Sequence, residues 1–289
     1  MGVSCSRRRG FVPCCLEARS GLRIPETYDS EREILMSRPG AAASLPLPFE
    51  LVVDDGIPMD NALHVFQATL LQELVIRVMK ERGREDFYAA GNIFVYYSVE
   101  QARHVAKGGS YFRGPDFFFV QGVPPRPQPR TAWVAWEEGD RLPELIVELL
   151  SPSTESVDRN EKPQLYAGVF RTPEYYLYKM ETGELEGFRL ARGSYKPMLR
   201  NRHGRYESKV LGLELGLWHG LYREQKATWL RLFTPDGRLV PTDTEAQEQE
   251  KSLREAERQR AETERQRAET ERQRADAAEA ELKRLRALL

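Results

Sequence analysis

Two acids in this chain stand among apolar neighbours. Asp116 opens the segment Asp116-Phe117-Phe118-Phe119-Val120, and Glu148 interrupts Leu145-Ile146-Val147-Glu148-Leu149-Leu150, the most continuous apolar run in the sequence. A carboxylate placed in such surroundings is costly unless it is paired, capped or bound to a metal ion. Brought together from neighbouring strands, the two would form an all-oxygen site suited to Mg²⁺ or Mn²⁺. Each acid also has a plainer reading. Asp116 could cap a strand entry after Pro115, and Glu148 could pair with a buried arginine. The four histidines, His64, His104, His203 and His219, are scattered and suggest no histidine-based site.

The segments around the two acids are those of an α/β protein. The run Leu145–Leu150 suits a strand covered on both faces, and Ser151-Pro152-Ser153-Thr154 ends it. A helix is expected from about Val157 to Val169, followed after Pro173 by a strand at 174–178. Upstream, 49–53 reads as a short strand and Asp60 or Asn61 as a helix cap. Leu63, Phe66, Leu70, Leu71, Leu74, Val75 and Val78 then recur at helical spacing. Further strands are expected at 92–97, 116–120 and 133–136, with a proline-rich loop at 124–129 and β-ribbons up to Val240. Thr234-Pro235-Asp236-Gly237 is a turn signal, proline fixing one φ and glycine accepting a positive one.

With 289 residues and a mean hydropathy of −0.58, the chain has room for one large domain plus polar appendages. No apolar run approaches the ~20 residues that span a bilayer, so no membrane is expected. The formal net charge is −1. Residues 46–240 carry 25 Lys and Arg against 26 Asp and Glu, so any nucleic-acid binding must be local. Cys5, Cys14 and Cys15 all precede the presumed core, which suits a reducing cytoplasm. Residues 1–45, without periodicity, read as a disordered leader. Its Met1-Gly2-Val3-Ser4-Cys5-Ser6 formally fits an acylation pattern but is better explained as chance, with Met36 as an alternative start.

After Pro241 the texture changes. Ala-Glu-Thr-Glu-Arg-Gln-Arg occurs at 261–267 and again at 268–274, after a degenerate copy at 254–260. The period is that of a coiled coil, yet Ala261, Ala268 and Ala275 are the only recurring apolar positions. Pairs such as Arg258–Glu262, Arg265–Glu269 and Arg267–Glu271 would support a solvated helix at about 0.2–0.5 kcal/mol each. The stripe Leu282, Leu285, Leu288 and Leu289 leaves room for self-association near the end. On this reading, removing 245–289 should leave the melting temperature of the core nearly unchanged.

The order Gly114-Pro115-Asp116, an intervening strand, then Glu148 resembles the PD-(D/E)XK nucleases. The stretch Pro143 to Thr154, then Asp158, Lys162 and Tyr166, then Thr172-Pro173-Glu174-Tyr175, is similar to the Uma-type family of bacterial restriction endonucleases. The similarity runs from about Pro46 to Val240. It implies a restriction-endonuclease-like core, a mixed β-sheet flanked by helices, over 46–240, with a charged helical tail over 241–289. It also implies metal-dependent DNA endonuclease activity leaving a 5′-phosphate. Asp116 and Glu148 would hold the metal with the Leu149 carbonyl, and a lysine would act on the attacking water or the phosphate.

The superfamily lysine ordinarily lies two residues after the strand glutamate, where this chain has Leu150. The resemblance offers Lys162 instead, on the next helix, with Asp158 one turn before it. Glu73 on the first helix is a weaker third acid. A DNA surface is expected between Arg189 and Lys209, where Arg192, Lys196, Arg200, Arg202 and Arg205 cluster with Tyr195, His203 and Tyr206 interleaved. A charged hairpin edge protected against aggregation would look the same. The competing function is a nuclease fold without activity, an interaction module recruiting partners through its helical tail.

Overall fold

The computed structural model describes residues 47–53, 61–109 and 114–287. The leader at 1–45, with its cysteines and acylation-like pattern, lies outside the described residues.

Helix α1 (Ala62–Glu81) begins where the cap signal lies, with Asn61 Oδ1 accepting from His64 N at 3.0 Å. Its buried residues include Leu70, Leu71, Leu74, Val75 and Val78. α1 is long and apolar enough by composition to cross a membrane, contrary to the sequence expectation, but half of that window is buried inside the protein. It is accounted for as a core helix.

Strands β1 (Phe87–Ala90) and β2 (Val95–Tyr96) precede α2 (Val99–Ala106), followed by β3 (Phe117–Gln121), β4 (Trp133–Val134) and β5 (Leu145–Leu149). The helices α3 (Glu155–Asn160) and α4 (Lys162–Leu165) run into a π-turn at Tyr166–Phe170. Then come β6 (Glu174–Lys179), β7 (Glu184–Ala191), β8 (Ser194–Pro197), β9 (Tyr206–Ser208), β10 (Leu213–Tyr222), β11 (Gln225–Phe233) and helix α5 (Asp243–Arg286).

Six strands form one mixed sheet in the order β1-β3-β5-β6-β7-β8, with β5 and β6 parallel and the other neighbours antiparallel. One face, through Phe117, Phe119, Val147, Leu149 and Tyr178, packs on α1 and on the three-stranded sheet β11-β10-β9. The opposite face, through Phe118, Ile146, Tyr175 and Leu177, packs on Leu165, Tyr166, Val169 and Phe170. Both faces of β5 are therefore covered, which is why its sequence is apolar at every position but Glu148. This mixed sheet with flanking helices and a long C-terminal helix is the restriction-endonuclease-like α/β architecture expected from the sequence.

Several local expectations are corrected. Residues 49–53 form no strand, only Val95 and Tyr96 of 92–97 pair, and 133–136 gives two strand residues followed by a 3₁₀ turn at Ala135–Glu137. The helix expected over 157–169 is broken in two. Pro163 has no N–H to continue the ladder, so the helix restarts at Lys162. The Thr234–Gly237 turn closes as expected, Gly237 N donating to Thr234 O at 2.8 Å with φ +88° at the glycine.

Candidate active site

Antiparallel pairing of β3 with β5 sets Phe117 opposite Val147, and carrying that register one step further sets Asp116 opposite Glu148. Directly opposed residues share a face, so both acids turn toward α3 and α4. They are clasped reciprocally. Asp116 N donates to Glu148 Oε2 at 3.3 Å, and Leu149 N donates to Asp116 Oδ2 at 2.6 Å. Gly91 lies so near this corner that a β-carbon there would collide with the Asp116 carbonyl oxygen.

The helical side supplies the rest. Asp158, Lys162 and Tyr166 follow one another at four-residue spacing and so share one face across α3, α4 and the π-turn. Lys162 Nζ lies 3.0 Å from Glu148 Oε2 and 2.7 Å from Asp158 Oδ1. Tyr166 donates its phenol to Glu148 Oε1 at 2.7 Å. Tyr175 donates to the Asp158 carbonyl oxygen, also at 2.7 Å, fixing the backbone of α3. Glu148 and Asp158 are buried and Asp116 is half-buried, while the Lys162 side chain keeps 14% of its surface exposed. Asp116, Glu148 and Lys162, singled out in the sequence, thus meet at one point. Tyr166 had no role assigned to it, although its position four residues beyond Lys162 was a legible signal.

Three carboxylates share one ammonium in this cluster. Burial pushes Glu148 up to about 8, because the pull of Lys162 does not offset desolvation and the repulsion of Asp158 and Asp116. Burial likewise raises Asp116 above the usual carboxylate range, against the opposing pull of Lys162. Lys162 is held protonated. Burial works against its charge, but Glu148, Asp158 and Asp116 together outweigh it. Asp158 shows the same surplus geometrically, since neither buried carboxylate oxygen has a hydrogen-bond partner beyond its ion pair with Lys162.

A pH dependence follows. The folded protein keeps the Glu148 proton up to about 8, whereas the unfolded chain releases it in the ordinary glutamate range. Between those limits the native state binds more protons, so its stability is fully present below the ordinary range and declines as pH rises through it to the folded value. Thermal melts in metal-free buffer should show the melting temperature falling over that window, with a flatter profile for Glu148→Gln. A wild-type profile that rises across it would contradict the assignment.

Asp116 and Glu148 fit a Mg²⁺ or Mn²⁺ ion in kind and charge. Among the described residues no group of three or more His, Cys, Asp or Glu side chains is arranged as a metal cluster, so the ion would rest on two carboxylates. Mg²⁺ is commonly held that way, with water and substrate oxygens completing its shell. The surplus of buried carboxyl groups over the single ammonium is the observation that favours a cation here.

Other candidates lie elsewhere. Glu73 accepts from Tyr222 Oη at 3.2 Å and from Asp243 N at 2.9 Å, so it belongs to the start of α5 on the α1 side of the sheet. Among the basic residues, Arg192, Lys196 and Arg202 are exposed on and after the β7–β8 hairpin. Arg200, also exposed, lies over Tyr206 and donates to the Leu185 carbonyl oxygen. Arg205 lies over Phe233, 3.5 Å from its centroid, and donates to Glu214 and the Gly237 carbonyl oxygen. Tyr206 is buried, and the Tyr195 hydroxyl donates to Thr172 O. The Tyr206 ring does not face solvent as a stacking platform would, whereas Tyr195 is only partly buried.

Compared with known families, residues 50–228 match the Uma2 family, described as "Putative restriction endonuclease". A search of curated proteins gives no match.

Proposed function

The chain belongs to the Uma2 family of restriction-endonuclease-like proteins, and from that membership and the site geometry we propose that it is a divalent-metal-dependent DNA endonuclease. The observation that carries this reading is the position of Lys162. Its ammonium reaches Glu148 from the helical side at 3.0 Å, supplying the cation that Leu150 cannot. When bound by Asp116 and Glu148, a divalent ion would polarise the phosphodiester and favour ionisation of the attacking water.

The chain's own residues do the remaining work. Lys162 places a positive charge where a phosphorane gathers negative charge. Asp158 anchors that ammonium from one turn earlier, and Tyr166 fixes one oxygen of Glu148, leaving Oε2 toward Asp116 and Lys162. Arg192, Lys196 and Arg202 are open to the duplex backbone, with Arg200 and Arg205 holding the surrounding β-structure in shape.

The test is nicking of supercoiled plasmid by the purified full-length chain. Nicked and linear products with Mg²⁺ or Mn²⁺, abolished by chelation, are expected. A folded protein that leaves plasmid intact with either ion would favour the inactive interaction module.

A further inference from the structure

The sheet face that α3 and α4 cover continues past them over β6, β7 and β8. There it carries a cavity of about 200 Å³ lined by Arg159, Pro163, Tyr175, Leu177, Phe188 and Tyr195. Strand register builds the floor, because Phe188 pairs with Tyr175 and opposed residues share a face. The Tyr195 and Phe188 rings lie 5.4 Å and 6.3 Å from the Tyr175 ring and are inclined to it by only 31° and 33°. Both tyrosine hydroxyls are engaged elsewhere, Tyr195 on the Thr172 carbonyl oxygen and Tyr175 on that of Asp158. What the cavity offers is therefore aromatic surface. Sites for drug-sized ligands begin at about 300 Å³, so this one suits a single flat ring system.

The helical wall adds one polar group. Arg159 Nε meets Glu155 at 2.9 Å and Nη1 meets Glu186 at 2.7 Å, which leaves Nη2 outside both pairs on a partly exposed side chain. Two acids thus hold the guanidinium in place while one of its donors stays open. Arg159 and Pro163 each follow a member of the acid–lysine cluster, Asp158 and Lys162. One short helical segment therefore carries the cluster on one flank and the cavity on the other. A helix is about 10–12 Å across, and a duplex strand advances about 3.4 Å per nucleotide, so the flanks lie about three nucleotides apart along a strand.

We propose that this cavity takes one unpaired nucleobase, stacked on Tyr195 and Phe188 and met at its edge by Arg159 Nη2. Aromatic rings accept the face of any base, and an arginine N–H suits the acceptors on a base edge. A base of the substrate strand and a free nucleoside share this chemistry. The first source rests on the nuclease reading, and places the base about three nucleotides from the phosphate attacked.

The test uses the full chain and two probes. One is adenosine, which has no phosphate. The other is a short DNA duplex with one bulged adenine, set beside its fully paired counterpart, with Ca²⁺ replacing Mg²⁺ so that the strands survive. In tyrosine-ring ¹³C spectra the Tyr195 signal, identified by its loss in Tyr195→Phe, should move with the bulged duplex and show nuclear Overhauser contacts to base protons. The bulged duplex should bind roughly tenfold more tightly than the paired one, the scale of one base–ring stack. Tyr195→Leu should erase that preference. Tyr195→Phe, which loses the same hydroxyl but keeps the ring, should retain it. A shift with adenosine as well would show that the cavity accepts a free base, and a shift with the bulged duplex alone would show that it needs the strand. Both support the proposal. A Tyr195 signal unmoved by either probe overturns it, as does a Tyr195→Leu chain that melts normally and still prefers the bulge. Should Tyr195→Leu not fold, the wild-type signal and contacts decide alone. Plasmid nicking by a chain that fails this test would leave the nuclease reading standing. Adenosine binding by a chain that never nicks would keep the cavity and remove the nuclease.

Discussion

Lys162→Ala is expected to lower metal-dependent plasmid cleavage by roughly 10²–10³-fold, the scale of losing one positioned charge on a developing oxyanion. The change is mild for the helix, since alanine is its best former. It is not mild for the cluster. Glu148 and Asp158 would lose the only cation within 4 Å of them among the described residues. Burial would then drive Glu148 further toward the protonated form, weakening both the hold on a metal ion and the native state at neutral pH. Cleavage must therefore be compared at equal folded fraction, with metal titrated to saturation for each variant. Lys162→Arg should rescue poorly, because a planar guanidinium does not fit the point where a compact ammonium bridges two buried carboxylates. Single-turnover rates decide the matter. If Lys162→Ala cleaves as fast as wild type, the ammonium is a structural counter-ion and the catalytic cation lies elsewhere.

That cluster was partly legible before any fold was known. An ionisable side chain in an apolar run announces itself, which is how Asp116 and Glu148 stood out. The double-sided burial of β5 was written in its sequence, apolar at every position but Glu148. Lys162 was visible only through resemblance, because nothing in its own neighbourhood separates it from a solvated helix lysine. The break at Pro163 was missed, yet the restarted helix and π-turn are what put Tyr166 over Glu148, and π-turns are frequent at functional sites. Strand β1, Phe-Tyr-Ala-Ala, lacks the β-branched residues that mark a strand and forms because β3 pairs with it. For Arg200 and Arg205 the sequence shows charge but not the aromatic ring that each lies over.

The charged helix shows the same limit from the other side, and the structure changes what its removal should do. None of α5 is buried, as its composition implied. The pairs expected within its repeats are not closed, and among its described side chains the ion pairs are Arg254–Glu250 at 2.6 Å and Lys283–Glu279 at 3.8 Å. Exposed charges gain little by closing such pairs.

Its first turn is different. Arg231, fully buried beneath Trp218, donates to Glu245 Oε1 at 3.1 Å, to Glu245 Oε2 at 2.7 Å and to the Val240 carbonyl oxygen at 2.8 Å. Glu245 also closes a capping box with Thr242, and Asp243 meets Arg77 at 2.8 Å. Stopping the chain after Arg254 should therefore leave the melting temperature within about 1–2 °C of wild type, because only exposed helix is lost. Stopping it after Thr244 removes Glu245 and strands a buried guanidinium. Breaking a buried pair costs about 3–5 kcal/mol. Glu245 keeps 29% of its side chain exposed, so about 2–3 kcal/mol is the fairer expectation after screening. For a domain of this size that corresponds to a drop of roughly 5–10 °C, and Glu245→Ala in the full-length chain should reproduce most of it. The three melting curves separate the possibilities. Equal losses from both truncations would mean that the distal helix packs on the core, and no loss from either would mean that Val240 and Trp218 suffice to keep Arg231 buried.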